Sequence, residues 1–133
     1  MTDLRYRRTA GSVFSLKYHL VWCPKYRRRI LVGEIAEELH NLLYEKAKAM
    51  DITIEALEIM PDHVHLFVGA DPTEAPQHLA NQFKRYTSRM LGIKFPSISR
   101  RLPSLWSRSY YVGSIGYASE DAVKNYIAMQ KKK

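Results

Sequence analysis

The chain has 133 residues, a single cysteine and a formal net charge of +8, from 21 Lys and Arg against 13 Asp and Glu. That length fits one domain able to bury about two-thirds of its unfolded surface. The lone Cys23 excludes an internal disulfide and agrees with a reducing, cytoplasmic setting, and no apolar run approaches a membrane span or a secretory leader.

The basic excess is unevenly spread. It gathers at Arg5, Arg7 and Arg8, at residues 25–29, at Lys84, Arg85 and Arg89, at Arg100 and Arg101, and at residues 131–133. Tyr6, Tyr26, Tyr86 and Trp106 are interleaved with these clusters. Cations with aromatic neighbours suit a phosphate backbone whose bases rest on rings. A solubilising surface is the plainer account, and an excess of this size favours nucleic acid.

In chain order, residues 1–11 read as a basic arm. Residues 13–22, rich in β-branched and aromatic side chains, read as a first strand that Cys23-Pro24 ends before a basic loop at 25–29. Residues 34–50 carry an apolar stripe of Ile35, Leu39, Leu42, Leu43 and Ala47 at helical spacing. Residues 52–60 form a second strand, and a tight Pro61-Asp62 turn leads into a third at 63–68.

A second helix is expected to start near Thr73, capped by Asp71-Pro72-Thr73 with Pro76 in its first turn, and to show Leu79, Phe83, Tyr86 and Met90 to the core. Residues 92–103 connect it to a fourth strand at 105–115, and Ser119 caps a last helix through Tyr126 and Gln130. The order β-α-β-β-α-β-α predicts an α+β, ferredoxin-like (RRM-like) fold, an antiparallel sheet with helices on one face. No repeat or interdomain linker interrupts residues 1–133, which read as a single domain.

The third strand carries the chemistry. A side-chain period of two puts His63, His65 and Phe67 on one face and the apolar Val64, Leu66 and Val68 on the other. Two imidazoles on one strand face can offer two nitrogens to one cation; a half-exposed strand with two hydrogen-bonded histidines is the competing account. Asp62 either tunes a histidine or caps the turn. Tyr126 and Gln130, four apart, share a helix face, and by themselves read as a core-edge residue and a solvated one. His19 and His40 read as structural and His78 as surface.

Three segments together resemble a known family. Pro-Asp-His-Val-His-Leu at 61–66, Tyr-His-Leu-Val-Trp-Cys-Pro-Lys-Tyr-Arg at 18–27 and Asn-Tyr-Ile-x-x-Gln at 125–130 are similar to the single-tyrosine HUH transposases, enzymes of insertion sequences that move as single-stranded DNA. The resemblance implies His63, His65 and Gln130 as ligands of a divalent metal, Mg2+ or Mn2+, and Tyr126 as the nucleophile that forms a 5′-phosphotyrosine and frees a 3′-OH. It also implies hairpin-forming DNA at the element's ends as partner, and homodimers with shared active sites. Lys84, Arg85 and Arg89, with Arg27 and Arg28 of the basic loop, are candidate DNA contacts. Tyr110 and Tyr111 are rival nucleophiles. The competing functions are a domesticated relative acting on genomic palindromic repeats, a noncatalytic ferredoxin-like nucleic-acid binder and an H-x-H phosphoesterase that activates water.

Overall fold

The structure is a computed structural model, and it describes residues 7–9, 12–14, 16–70, 74–102, 104–114 and 126–130. Strands β1 (Arg7–Thr9) and β2 (Ser12–Phe14) pair as a separate two-stranded antiparallel sheet. The expected arm therefore contains a strand, and the long first strand expected over 13–22 is divided between β2 and β3 (Leu16–Trp22). After β3 come α1 (Gly33–Ala49), β4 (Thr53–Met60), β5 (His63–Ala70), α2 (Pro76–Lys94), α3 (Pro96–Arg101) and β6 (Tyr111–Ser114).

The main sheet has the order β4-β5-β3-β6, with every neighbouring pair antiparallel. This is the split βαβ arrangement expected of a ferredoxin-like sandwich, with β5 inserted between β3 and β4. The β4–β5 hairpin turns on Pro61-Asp62 alone, which fixes its register at Met60↔His63.

Alternation then decides the faces. Leu20, Trp22, Val64, Leu66 and Val68 are buried completely and join Leu39, Leu43, Leu79 and Phe83 of α1 and α2 in one core. Each such side chain contributes roughly 1.5–3 kcal/mol on burial, so a one-residue slip of β5 would forfeit its whole apolar set and expose it. The other face of the sheet, with His19, His63 and His65, is turned away from these helices.

The helical segments also differ from expectation at two places. Helix α2 starts at Pro76, where a missing N–H costs nothing in the first turn, and it runs on to Lys94; the cap expected at 71–73 lies outside the described residues. Within the connection expected over 92–103, whose shape the sequence leaves open, α3 folds back so closely that a Cβ on Gly92 would lie 2.8 Å from Ser99 Oγ.

The fourth strand is shorter than expected because residues 104–110 spend their backbone groups elsewhere. Lys25 N–H donates to Leu105 O, Ser107 N–H donates to Cys23 O, and Lys84 Nζ donates to the carbonyls of Ser107 and Ser109. Only residues 111–114 remain to pair with β3. Residues 126–129 are helical, as expected of the last helix; its expected cap at Ser119 and the lysine tail lie outside the described residues. Among the described residues no helix is long and apolar enough to cross a membrane.

Candidate active site on the open sheet face

Cross-strand register builds the site. Val21 stands opposite both His65 and Tyr111, and His19 stands opposite Phe67, so β3, β5 and β6 direct these side chains to one face. The rings form a row: His63 to His65 at 4.8 Å between centroids, His65 to His19 at 5.2 Å, His19 to Tyr111 at 6.0 Å and Tyr111 to Tyr126 at 6.4 Å. Phe67 stacks on His19 at 4.1 Å and closes one side of the row. Strand β5 thus presents the two histidines as expected, and the helix of Tyr126 lies at the far end of the row.

The imidazoles are oriented by their neighbours. His63 Nδ1 lies 2.7 Å from Asp62 Oδ1, so Nδ1–H donates to the carboxylate and Nε2 is the ring nitrogen turned away from it. His65 Nδ1 lies 2.9 Å from His19 Nε2, which leaves the Nε2 of His65 unengaged. Burial, reinforced by the neighbouring His63 and His19, pushes the His65 pKa down to about 4, so it is neutral near pH 7. His19 is also lowered by burial. Two imidazoles on one strand face, each held through Nδ1, fit a divalent metal at their Nε2 atoms, and the Asp62–His63 bond is the support that metal-binding histidines usually have. Among the described residues no group of three His, Cys, Asp or Glu side chains is arranged to hold a metal, so further ligands would come from an amide, water or phosphate.

Asp62 does more than cap its turn. Its second oxygen, Oδ2, lies 3.0 Å from Arg27 Nε in an ion pair, and Arg27 Nη1 donates to the carbonyl of Ile127 at 3.2 Å. Tyr26 and Arg27 both have left-handed backbones, φ 61° and 51°, an unfavourable conformation for residues with a Cβ. That turn aims Arg27 inward, so this guanidinium joins the histidine strand to the tyrosine helix and is not a free surface cation. Arg28, next to it, is exposed.

At the other end, Ser107 and Ser109 hold the tyrosine helix. Ser107 Oγ and Ser109 Oγ donate to Gln130 Oε1 at 2.9 and 3.0 Å, Gln130 Nε2 donates to the carbonyl of Tyr126 at 3.0 Å, and Ser109 Oγ lies 3.3 Å from Tyr126 OH. Gln130 is 1% exposed, so the solvated alternative for it does not hold, and its oxygen is committed to the serine pair in this arrangement. Burial pushes the Tyr126 pKa up to about 12, with the Ser109 hydrogen bond opposing the rise.

Lys84 sits differently from the other expected DNA contacts. Its ammonium is buried and donates to Ser107 O at 2.7 Å and Ser109 O at 3.1 Å, and burial lowers its pKa to about 8. It braces the serine segment from beneath, while Arg85 and Arg89 are exposed on the same helix. Cys23 is fully buried, with its thiol pushed up to about 12 mainly by burial, which makes it inert.

The sequence alone does not place His19, Ser107 or Ser109 in the site, nor pair Arg27, a candidate DNA contact, with Asp62. The serines had a signal: a period of two over 105–115 puts residues 107, 109 and 111 on one face. His19 had none, because its place beside His65 depends on register.

The fold is thus of the α+β class, a split-βαβ sandwich that carries the paired histidines on one sheet face with the tyrosine helix at the end of their row. Residues 12–130 match the family described as "Transposase IS200 like", and the chain belongs to that family. It is 33% identical to the ISDra2 transposase TnpA of Deinococcus radiodurans, over 98% of this chain and 94% of that one. It is 28% identical to the transposase for insertion sequence element IS200 of Salmonella typhimurium, over 91% of this chain and 80% of that one. A crystal structure of a Deinococcus radiodurans R1 transposase candidate superposes with a TM-score of 0.86 at 33% identity, covering 93% of this chain and 97% of the other. A REP-associated tyrosine transposase bound to a REP hairpin shares the fold, with a TM-score of 0.56 at 12% identity over 96% of this chain and 68% of that one.

Proposed function

We propose that this transposase cleaves and rejoins single-stranded DNA at the ends of an insertion sequence through a covalent 5′-phosphotyrosine on Tyr126. The observation that carries the reading is the continuous row of rings from His63 through His65, His19 and Tyr111 to Tyr126. A water-activating phosphoesterase would have no use for the tyrosine at the end of that row.

In the proposed step the phenolic oxygen of Tyr126 attacks the scissile phosphorus as its proton is lost. The bond from phosphorus to the 3′-oxygen breaks, and that oxygen leaves as a 3′-OH once protonated. A later 3′-OH reverses the exchange and rejoins strands, so no nucleotide cofactor is consumed. His63 and His65 would hold a divalent cation, Mg2+ or Mn2+. Gln130 would join them after its oxygen leaves the serine pair. Because these three groups are neutral, the cation would retain its full charge to polarise the phosphate.

The relatives' names point to DNA as partner, and the REP-bound neighbour carries a hairpin. Arg28, Arg85 and Arg89 are the proposed backbone contacts here, whereas Arg27 and Lys84 act from within. We place the activity in the cytoplasm, in a homodimer whose tyrosine helix serves the partner's histidines. Its support is that within one chain Gln130 Oε1 accepts from Ser107 and Ser109 and Tyr126 OH lies beside Ser109, so the described hydrogen bonds of both groups go to the serines and not to an imidazole.

The test is incubation of the protein with end-labelled single-stranded hairpin DNA and Mn2+, followed by a denaturing gel. A covalent adduct present in wild type and absent in Tyr126→Phe supports the reading. Cleavage without an adduct would replace it with hydrolysis.

A further inference from the structure

Beside the tyrosine helix lies a small pocket of about 270 Å³ lined by Lys25, Ser107, Arg108 and Ser109. It adjoins a longer groove of about 720 Å³ that shares Lys25, Ser107 and Arg108 and runs along α2 past Arg85 and Arg89. Among the described residues none that lines either cavity is a carboxylate. Among the described residues Lys25, Arg85, Arg89 and Arg108 have no ion-pair partner, and the three arginines are exposed. Four cations along one cleft, with no carboxylate partner among the described residues, generate a positive potential that low-dielectric walls focus.

The chemistry of the lining selects the ligand. Lys25 and Arg108 offer charged donors suited to phosphate oxygens, while the hydroxyls of Ser107 and Ser109 are donated to Gln130 Oε1 and would turn to the phosphate only when Gln130 leaves them. The small pocket is below the roughly 300–1,000 Å³ of ordinary small-molecule sites. The groove's aromatic, Trp106, is only 5% exposed and donates its indole N–H to Thr87 Oγ1, so it offers no face on which a base could stack. Backbone, not bases, is what this cleft can grip.

Position supplies the rest. Ser109 Oγ, in the pocket wall, lies 3.3 Å from Tyr126 OH. We propose that the Lys25–Ser107–Arg108–Ser109 pocket is a phosphate-binding site for the DNA strand beside the one Tyr126 attacks, and that the α2 groove is the strand's sequence-independent approach. This rests on the transposase reading above and adds to it the path of the single strand.

The test uses the full chain and an end-labelled oligothymidine strand that forms no hairpin, followed by fluorescence anisotropy across a salt series. Removing one cation that neutralises a phosphate should flatten the plot of log affinity against log salt by about 0.7 for a single strand. Replacing Arg85, Arg89 and Arg108 together with Ala should flatten it by about 2 and weaken binding about tenfold or more. Arg108→Ala alone should flatten it by about one phosphate's share, with Arg108→Lys recovering most of the difference. Lys48→Ala, at the exposed end of α1, serves as the control and should leave both quantities unchanged. An unchanged slope in the triple variant, or a weakening seen only with duplex hairpin stems, would overturn the proposal. Failure of the transposase reading would appear elsewhere, as a wild-type protein that binds the strand but forms no Tyr126 adduct.

Discussion

Arg27 Nε stands 3.0 Å from Asp62 Oδ2, and through this pair the loop after β3 is fastened to the carboxylate that orients His63. The same guanidinium holds the Ile127 carbonyl, so one side chain spans both halves of the site. Removing it would leave Asp62, only 7% exposed, with a buried charge facing one imidazole.

Arg27→Ala should therefore lower the unfolding free energy by about 3 kcal/mol, the lower end of the range for breaking a buried pair, since the arginine retains some solvent contact. Arg27→Lys should recover only part, because an ammonium cannot serve the carboxylate and the carbonyl in the same planar fork. Urea denaturation measures both. A loss below about 1 kcal/mol would mean that water replaces the guanidinium without difficulty.

Lys84 and Arg85 are sequence neighbours that should respond oppositely. Lys84→Met removes the donor for two buried carbonyls and should cost about 2–3 kcal/mol of stability. Its effect on the salt slope of DNA binding should be small. Arg85→Ala should leave the melting temperature nearly unchanged while flattening that slope. Thermal melts and anisotropy on the two variants decide it; a flattened slope in a fully stable Lys84→Met protein would return that lysine to the surface role expected from the sequence.

The half-buried phenol of Tyr126 should ionise late. Its folded pKa of about 12 is above the usual value near 10, so the folded state holds the proton that the unfolded state releases. This contribution to stability is complete below pH 10 and is lost as pH rises through 12. Ultraviolet titration of wild type against Tyr126→Phe should show a difference confined to pH above 11. A difference centred near pH 10 would place the hydroxyl in solvent.

His65 has the opposite sign. Its folded pKa of about 4 lies below the unfolded value near 6.5, so its contribution to stability is present above pH 6.5 and is lost as pH falls towards and through 4. Denaturant midpoints of the metal-free protein should decline over that window, and His65→Gln should flatten the decline. In the same proteins, Mn2+ binding followed by electron paramagnetic resonance should be weak in wild type and abolished in His63→Ala. Tight Mg2+ binding by the free protein would argue against imidazole ligands.

If active sites are shared, mixed dimers of His63→Ala and Tyr126→Phe should regain single-strand cleavage, because one site then combines intact histidines with an intact tyrosine. Full strand exchange, which needs two sites, should stay impaired. Purified mixed dimers that cleave no better than either parent would show that Tyr126 works with its own chain's histidines.

The sequence by itself determined the elements whose signals are local. Alternation in β5 put His63 and His65 opposite the apolar Val64, Leu66 and Val68, and the two-residue turn at Pro61-Asp62 fixed the hairpin, because side-chain period and turn geometry act within a few residues. The motif pairs and element order carried the family and the ferredoxin-like topology. Only the tertiary structure decided which distant residues complete the site. His19 meets His65 through strand register 46 residues away, and Arg27 meets Ile127 across 100 residues. The tertiary structure also separated the lysine that braces the serines from the arginines that face solvent. Lys84 and Arg85 differ by about one-quarter of a helical turn, and that rotation sends one ammonium under the 107–109 backbone and the other cation into the groove. Burial and pairing of a charge depend on what packs against it, and no local pattern in the chain specifies that.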